Sequence, residues 1–501
     1  MPALPKSLPR ICVALGFPTA SQLARAAERE YKDGSTFLEF RIDYLNDPGA
    51  APELIRTLRK RYPDLQILVT CRRKQQKGRF SGALEEQLAH LQNAAAAGAA
   101  AIDLEIESAE RAKPAAAELR RAAPLLVSYH NFESTPALDP VLRRLRQVSA
   151  DAYKIATTAR KPGDNLRILD FARGNCNQYR LVVFAMSDVG IATRVLTPGL
   201  GSLYTYAAPL EAAGTAPGQI GAHDLRSLYR CEKLNRQTRV YGVIADPVKH
   251  SKSPLIHNRA FQARRLDAVY LPFLIASSQL GDWMKFASTL PVAGFSVTIP
   301  HKQRILRYLD TIDPLAKRIG AVNTVWRNGG RWRGANTDVD GVLKPLSRHI
   351  RLAHAHILIA GYGGSARAAA IALHDAGAKI TLTGRTLSRA QALARAVNAD
   401  IVTLKEAQAR HFDVLVHATP VGMSPKSQEC LFAETIPADV VFDMVYNPSE
   451  TVLLARAKQQ GAVIIPGVKM LLEQAARQFE IWTRETAPRS VMQNALEPQA
   501  A

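Results

Sequence analysis

The chain has 501 residues, 47% hydrophobic and 22% charged, which is ordinary for globular protein and too long for one ordinary domain, so two or three domains are expected. Its five cysteines (Cys12, Cys71, Cys176, Cys231, Cys430) are odd in number, scattered and without a Cys-x-x-Cys pair, which argues against a disulfide framework or a zinc site and for a reducing, cytoplasmic location. The net charge of +21 comes from Lys and Arg spread along the whole chain, which argues against nucleic acid; small anionic substrates, a phosphorylated cofactor or simply an arginine-rich surface suit it as well.

No run reaches the roughly 18 apolar residues of a membrane span, and the alanine-rich stretch Asn93 to Ala101 is too short, so no membrane partner is expected. The first nine residues lack the basic and apolar regions of a signal peptide, and strand-like sequence starts at Ile11, so no transit peptide is expected either.

Short apolar runs alternate with helical patterns through the first 220 residues: Ile11 to Leu15, Phe37 to Phe40, Ile67 to Cys71, Ala101 to Glu105, Leu125 to Tyr129, Ala152 to Ala156, Leu181 to Ala185 and Ser202 to Ala207. Eight such units predict an α/β fold of the (β/α)8 barrel type, whose chemistry sits at the C-terminal strand ends. Polar residues fall there: Glu39, Arg41, Arg72, Glu105, His130 and Lys154, with Arg194 just beyond. The stretch Ala222 to Arg239 is polar and helix-like, and a new strand opens at Val240, so a boundary is placed near residue 235. A second α/β region follows. In it, His356 to Ala360 reads as a buried strand feeding Gly361-Tyr362-Gly363-Gly364-Ser365-Ala366-Arg367 and an alanine-rich helix, the order that a dinucleotide requires.

Lys154 is the most informative residue, because an unpaired ammonium inside an apolar run is costly unless it has a partner or a task. A desolvated lysine gives up its proton more readily and can attack a ketone to form a Schiff base. His130, ending the preceding strand, could move the proton in an elimination beside that ketone. Taken singly, a strand-end lysine such as Lys154 is more often a snorkelling or ion-paired residue, and His130 more often a structural histidine.

Glu39-Phe40-Arg41, Val69-Thr70-Cys71-Arg72, Ser128-Tyr129-His130, Tyr153-Lys154-Ile155-Ala156 and Ala216-Pro217-Gly218-Gln219-Ile220 together resemble type I 3-dehydroquinate dehydratase over residues 10 to about 222. The resemblance implies that Lys154 forms the Schiff base, that His130 is the general acid/base and that Arg194 holds the substrate carboxylate. It also implies that Glu39, Arg41 and Arg72 contact substrate hydroxyls or neighbouring charges, while Thr215 and Gln219 lie on a loop closing the mouth. Two departures stand out: residues 73–79 contain no carboxylate where the family usually has one, and Ala14 replaces a serine common on the first strand.

In the second half, Gly361-x-Gly363-x-x-Ala366 between strand and helix allows a pyrophosphate to approach backbone amides at the helix N-terminus. The next strand ends in Gly384-Arg385-Thr386 where an NAD enzyme would commonly carry an acid; Arg385 and Arg389 can pair with a 2′-phosphate, so NADP is the expected cofactor. Ser251-Lys252-Ser253, the run Gly294 to Lys302, Gly320-Ala321-Val322-Asn323-Thr324, Asn336-Thr337-Asp338, Tyr446 and the segment Pro466 to Gln474 resemble shikimate dehydrogenase over residues 240 to about 485. By that resemblance Lys302 and Asp338 are the catalytic pair, Ser251 and Ser253 bind the carboxylate, and Thr298, Asn323, Tyr446 and Gln474 join Asp338 in binding hydroxyls. Gly361, Gly363, Gly364, Ser365, Ala366, Arg385, Thr386 and Arg389 hold the dinucleotide, with Gly467 by the nicotinamide. Without it, Lys302 and Asp338 read as a surface ion pair. Ser296 stands where single-function bacterial enzymes often have asparagine, and His417-Ala418-Thr419 where an Asn-x-Thr is usual near the cofactor.

The wording Ser-Val-Thr-Ile-Pro-His-Lys resembles the fused dehydratase-dehydrogenases of plants and some bacteria, and the domain order agrees. The expectation is a barrel over 1–222, a linker over 223–235, a substrate lobe over 236–340 plus 467–501, and a Rossmann lobe over 341–466. The barrel would turn 3-dehydroquinate into 3-dehydroshikimate and the second half would reduce that to shikimate with NADPH, with no metal. A quinate dehydrogenase and a metabolite-binding regulator are the alternatives; retention of both lysines, His130 and Asp338, with no helix-turn-helix candidate, weighs against the regulator. The oligomeric state stays open, a monomer being compatible with the sequence.

Overall fold

The computed structural model describes Leu4 and residues 8–212, 214–432 and 435–497. The chain divides into two compact units, Met1–Thr238 with Gly281–Pro291, and Arg239–Leu280 with Val292–Ala501.

The first unit is built on eight parallel strands: β1 Ile11–Leu15, β2 Phe37–Arg41, β3 Gln66–Thr70, β4 Ala101–Glu105, β5 Leu125–His130, β6 Ala152–Thr158, β7 Leu181–Met186 and β8 Thr205–Ala208, followed by the two-residue β9 Ile220–Gly221. They lie in the order β7-β6-β5-β4-β3-β2-β1-β8-β9. The Leu203 N–H, just ahead of β8, donates to Leu181 O of β7 at 2.7 Å and brings the two ends of the curl together. Nearly every strand residue is buried because helices cover the outside and side chains fill the inside. Period-2 alternation sends Cys12, Ala14, Phe37, Leu68, Ala101, Leu126, Ala152, Ala156, Phe184 and Tyr206 into one interior cluster. Glu39, Asp103 and Lys154 share the parity of these residues, so their charges are aimed inward.

Two expectations need correction here. The last strand begins at Thr205 rather than Ser202, since Gly201 takes φ +108° and Ser202 N–H closes a turn onto Thr197 O. Of the stretch 222–239, only Ala222–Ser227 is α-helical; Arg230 in the left-handed region (φ +51°) ends any continuation.

The second unit holds two six-stranded sheets. The first comprises β10 Arg239–Ala245, β11 Ala268–Leu274, β12 Val292–Val297, β13 Thr311–Ile312, β14 Thr324–Asn328 and β15 Arg331–Ala335, in the order β11-β10-β12-β14-β15-β13. β14 and β15 form an antiparallel hairpin whose two-residue turn, Gly329-Gly330, has positive φ at both positions, as the strand twist favours. The second sheet comprises β16 His356–Ala360, β17 Lys379–Thr383, β18 Asp400–Ile401, β19 Phe412–His417, β20 Ala438–Asp443 and β21 Val463–Ile465. Its order β18-β17-β16-β19-β20-β21 is wholly parallel and reverses direction between β16 and β19, the position at which such sheets bind ligands. The helix Gly467–Thr483 follows β21 and serves both sheets, with Met470 in the core of the second and Leu471, Ala475, Phe479 and Trp482 in that of the first.

Candidate active sites

Lys154 is the third residue of β6, in the strand interior rather than at its end, and only 2% exposed. Its flanking inward neighbours, Ala152 and Ala156, leave room for the long side chain. The ammonium donates to Asp103 Oδ2 at 2.8 Å and to Tyr206 OH at 2.9 Å, lies 3.8 Å from Glu39 Oε1 and sits over the Tyr206 ring. Burial by itself would raise the pKa of Asp103, but Lys154 and Arg72 outweigh it and hold the carboxyl below its ordinary range. Glu39 is fixed by the Thr70 hydroxyl, 2.7 Å from Oε1.

His130 ends β5, half-buried and stacked on Phe132. Burial and then the cations Arg72, Lys154 and Arg41 drive its pKa well below 6.5, so its imidazole is neutral near pH 7 and free to accept a proton. Arg41 is turned to Asp43 in a buried two-pronged ion pair (2.9 and 2.7 Å). Arg72 is buried with Nε unpartnered.

Arg194, on the short helix Ile191–Leu196 after β7, is 0% exposed. Its Nη2 donates to Pro217 O at 3.1 Å and its guanidinium lies over Phe184, yet Nε and Nη1 have no partner among the described residues. Burial alone pulls its pKa down to about 9. A buried cation with two idle donors is suited to an anion. The loop that caps it carries Thr215 and Gln219, whose side chains lie 3.4 Å apart, and Ser187 N–H also donates to Pro217 O.

In the second unit, a cleft of about 290 Å³ brings together ten of the residues singled out from the sequence. Ser251, Ser253 and Thr298 line it from the first sheet's loops, Asn323 and Asp338 from its floor, and Tyr446, Gly467 and Gln474 from the segments after β20 and β21; Lys302 and Ser365 complete it. Lys302 Nζ donates to Asp338 Oδ2 at 2.5 Å, and Asn323 Nδ2 donates to Asp338 Oδ1 at 2.7 Å. Ser365, in the glycine motif, also touches the pair: its hydroxyl accepts from Lys302 Nζ at 2.9 Å and donates to Asp338 Oδ2 at 3.3 Å, so the first turn of the helix Gly364–Asp375 reaches the pair directly. Ser296, 6% exposed, accepts from Tyr270 OH at 2.6 Å and donates to Gln478 Oε1 at 2.8 Å.

The glycine turn fits a dinucleotide. Gly361 has φ +116°, and a Cβ there would stand 2.9 Å from Ala418 O, so only glycine closes the turn against the neighbouring strand. A Cβ at Gly363 would project into open space, the space a pyrophosphate needs, while Ala366 is fully buried where helix meets sheet. Arg385 and Arg389 are exposed beyond β17, and neither ion-pairs with a carboxylate among the described residues; the Thr386 N–H donates to Tyr362 OH at 2.6 Å. These three, with Gly361, Gly363, Gly364 and Ala366, lie outside the cleft lining.

Sequence reasoning missed Asp103 and Tyr206. Asp103 carries a usable signal, a lone charge in an apolar run at the parity of Glu105. Tyr206 carries none locally.

The class these features define is a lysine-bearing (β/α)8 barrel joined in one chain to a dinucleotide-binding dehydrogenase with separate substrate and cofactor sheets. Residues 11–236 match the family model for type I 3-dehydroquinase. Residues 243–325 match that for the shikimate dehydrogenase substrate binding domain, 345–428 that for shikimate/quinate 5-dehydrogenase and 467–497 the shikimate 5′-dehydrogenase C-terminal domain. A chloroplastic bifunctional 3-dehydroquinate dehydratase/shikimate dehydrogenase of Arabidopsis thaliana is 33% identical over 506 residues, covering 96% of this chain and 83% of its own. A shikimate dehydrogenase (NADP(+)) of Nitrosopumilus maritimus is 39% identical over 52% of this chain and 98% of its own. A crystal structure of a shikimate dehydrogenase in complex with NADP+ superposes with a TM-score of 0.50 at 39% identity, covering 52% of this chain and 96% of that one. The chain belongs to the family of bifunctional 3-dehydroquinate dehydratase/shikimate dehydrogenases, enzymes with a lyase half and an NADP-dependent oxidoreductase half.

Proposed function

We propose that this chain dehydrates 3-dehydroquinate in its barrel and reduces the resulting 3-dehydroshikimate to shikimate in its second half, drawing on NADPH. The observation that carries the reading is Lys154, a buried primary amine inside a barrel strand with a neutral histidine at the end of the neighbouring, preceding strand.

In the barrel, the Lys154 amine adds to the substrate ketone and water leaves, giving an iminium. That positive nitrogen acidifies the neighbouring C–H. Neutral His130 takes the proton and returns it to the departing hydroxyl, so that water is eliminated, and hydrolysis restores ketone and amine. Asp103, held ionised, and Tyr206 orient the lysine, and the idle donors of Arg194 receive the carboxylate. Glu39, Arg41 and Arg72 set the polar wall, with Thr215 and Gln219 on the loop over it.

In the cleft, Ser251 and Ser253 take the carboxylate, and Thr298, Asn323, Tyr446 and Gln474 take hydroxyls. Lys302, held by Asp338, supplies the proton at the carbonyl oxygen being reduced. NADPH supplies the hydride to C3 when bound: Gly361, Gly363, Gly364, Ser365 and Ala366 would hold its pyrophosphate, Arg385, Thr386 and Arg389 its 2′-phosphate, and Gly467 would lie by the nicotinamide. The domain limits proposed are 1–222 for the dehydratase, 236–340 with 467–501 for the substrate lobe and 341–466 for the cofactor lobe. All five cysteines are free thiols, which supports a reducing, cytoplasmic setting. Among the described residues no helix is long and apolar enough to cross a membrane.

The test is sequential. Purified chain given 3-dehydroquinate alone should raise enone absorbance, and only a later addition of NADPH should start loss of nicotinamide absorbance. Nicotinamide oxidation with no prior enone, or neither signal, would overturn the reading.

A further inference from the structure

Behind the cleft, three side chains form a single hydrogen-bonded line: Thr419, His417 and Asp443. His417, at the end of β19, is 1% exposed, and Asp443, at the end of β20, is fully buried. Asp443 Oδ2 accepts from the Thr451 hydroxyl at 2.6 Å and Oδ1 from the Val445 N–H at 2.9 Å. Its remaining contact is His417 Nδ1 at 2.8 Å, and a carboxylate so supplied can only accept, so Nδ1 carries the hydrogen. In the neutral ring Nε2 is then an acceptor, and it faces Thr419 Oγ1 at 2.6 Å. Thr419 therefore spends its one proton on His417. One lone pair of its oxygen takes the Val421 N–H at 3.2 Å and the other has no described partner, in a residue that lines the cleft.

We infer that His417 and Asp443 are positioning residues that make Thr419 a hydrogen-bond acceptor, and no donor, toward the nicotinamide half of the cofactor, selecting the N–H2 of its carboxamide. This rests on the NADP-dependent reading above. The placement follows from the sheet. Arg385 and Arg389 follow β17, on one side of β16 and its glycine turn; His417 pairs with Ala360 on the other side, where a Cβ on Gly361 would come within 3.3 Å of Thr419 Cγ2. A dinucleotide with its phosphorylated ribose by the arginines and its pyrophosphate on the turn leaves its other half for β19 and β20. That end also holds Lys302 and Asp338, beside which hydride transfer must occur. A residue at 417 that offered a donor to Thr419 would release the threonine proton and invert the polarity shown to the ligand.

The experiment compares dissociation constants for NADP+ and for its 3-acetylpyridine analogue, which keeps the carbonyl and replaces the amide N–H2 with methyl, by titration calorimetry on the full chain. Wild type should prefer NADP+ by about tenfold, the usual worth of one hydrogen bond. Thr419→Val should bring the two constants within about twofold, Thr419→Ser should restore the preference, and His417→Phe, which frees the threonine proton without emptying the site, should cut it below about threefold. Loss of general binding strength from repacking would weaken both ligands alike and leave the ratio intact. An unchanged ratio in Thr419→Val or His417→Phe, or no preference in wild type, overturns the inference while leaving NADP binding standing. Failure of wild type to bind either dinucleotide would sink the underlying functional reading instead.

Discussion

Arg194→Met should make the barrel more stable and less able to use its substrate, a combination that separates a binding residue from a structural one. The guanidinium is fully buried, no carboxylate among the described residues pairs with it, and burial lowers its pKa from 12.5 to about 9. Near pH 7 the group is protonated in both folded and unfolded chains, so the penalty is present in full. At about 1.4 kcal/mol per pKa unit this is a ceiling of about 5 kcal/mol against the folded state. Substitution also forfeits the bond to Pro217 O and the contact with the Phe184 ring, together about 2–4 kcal/mol. The net gain is then about 1–3 kcal/mol, or a rise of roughly 2–8 °C in the barrel's thermal transition for a unit of this size. Meanwhile kcat/KM for 3-dehydroquinate should fall about 10- to 100-fold with the loss of a charge-assisted carboxylate contact. Ligand-free calorimetry of the full chain and an enone absorbance assay read the two effects. Arg41→Met is the contrast: its guanidinium is paired with Asp43 on both prongs, so its loss strands a buried carboxylate and should lower the transition. A lowered transition for Arg194→Met together with an unchanged kcat/KM would refute the reasoning.

Borohydride added during turnover of 3-dehydroquinate should inactivate the barrel irreversibly, with peptide mass spectrometry locating the reduced adduct on Lys154; an adduct elsewhere, or none, removes the imine. Arg385→Ala combined with Arg389→Ala should raise KM for NADPH by roughly 10- to 100-fold while changing that for NADH little, because only the former carries the phosphate they would pair with, and equal weakening would clear them of that role. His257, packed between Tyr270 and Trp482, has its pKa pulled from 6.5 to about 3 by burial. The unfolded chain takes up this proton below about 6.5 while the folded one does not, so the stability is intact above pH 6.5 and is lost as pH falls toward 3. Between pH 7.5 and 5, wild type should lose about 2 kcal/mol more than His257→Phe in urea melts followed by tryptophan fluorescence, and parallel losses would contradict the assignment.

The strands were legible because parallel strands buried on both faces are short apolar runs, and β1 and β4 match the sequence reading residue for residue. The misjudged ends have local causes. β6 runs on through Thr157 and Thr158, whose polar side chains mask continued pairing with Ala185 and Met186 of β7. The site was less legible where its bonds span distance. Lys154 was visible as a charge among apolar residues, but its partners Asp103 and Tyr206 lie 51 and 52 positions away and are brought in by the curl of the sheet. In the same way nothing near Thr419 marks Asp443, a strand away, as the group that settles its proton. Ser365 was legible as part of the glycine motif, but its hydroxyl contact with the lysine was not; the turn packs so near Lys302, 3.2 Å from a Cβ built on Gly364, that the two side chains meet.

The two lysines are held in ways suited to different work. Lys154 springs from the middle of a strand and is fixed by residues of strands on the same sheet, so its position is set by the barrel itself and needs no ligand to form. A nucleophile that must meet a carbonyl in one geometry gains from such rigidity. Lys302 lies in the loop after β12, bound to Asp338 at the start of one helix and to Ser365 at the start of another, the second belonging to the sheet that carries the glycine turn. Its geometry therefore depends on how that turn stands against the substrate sheet. A Cβ built on Gly364 would stand 3.2 Å from Lys302 Cβ, so a dinucleotide bound on the turn would be a close neighbour of the proposed proton donor. Among the described residues the polar partners of Lys154, namely Asp103, Tyr206 and Glu39, all come from barrel strands.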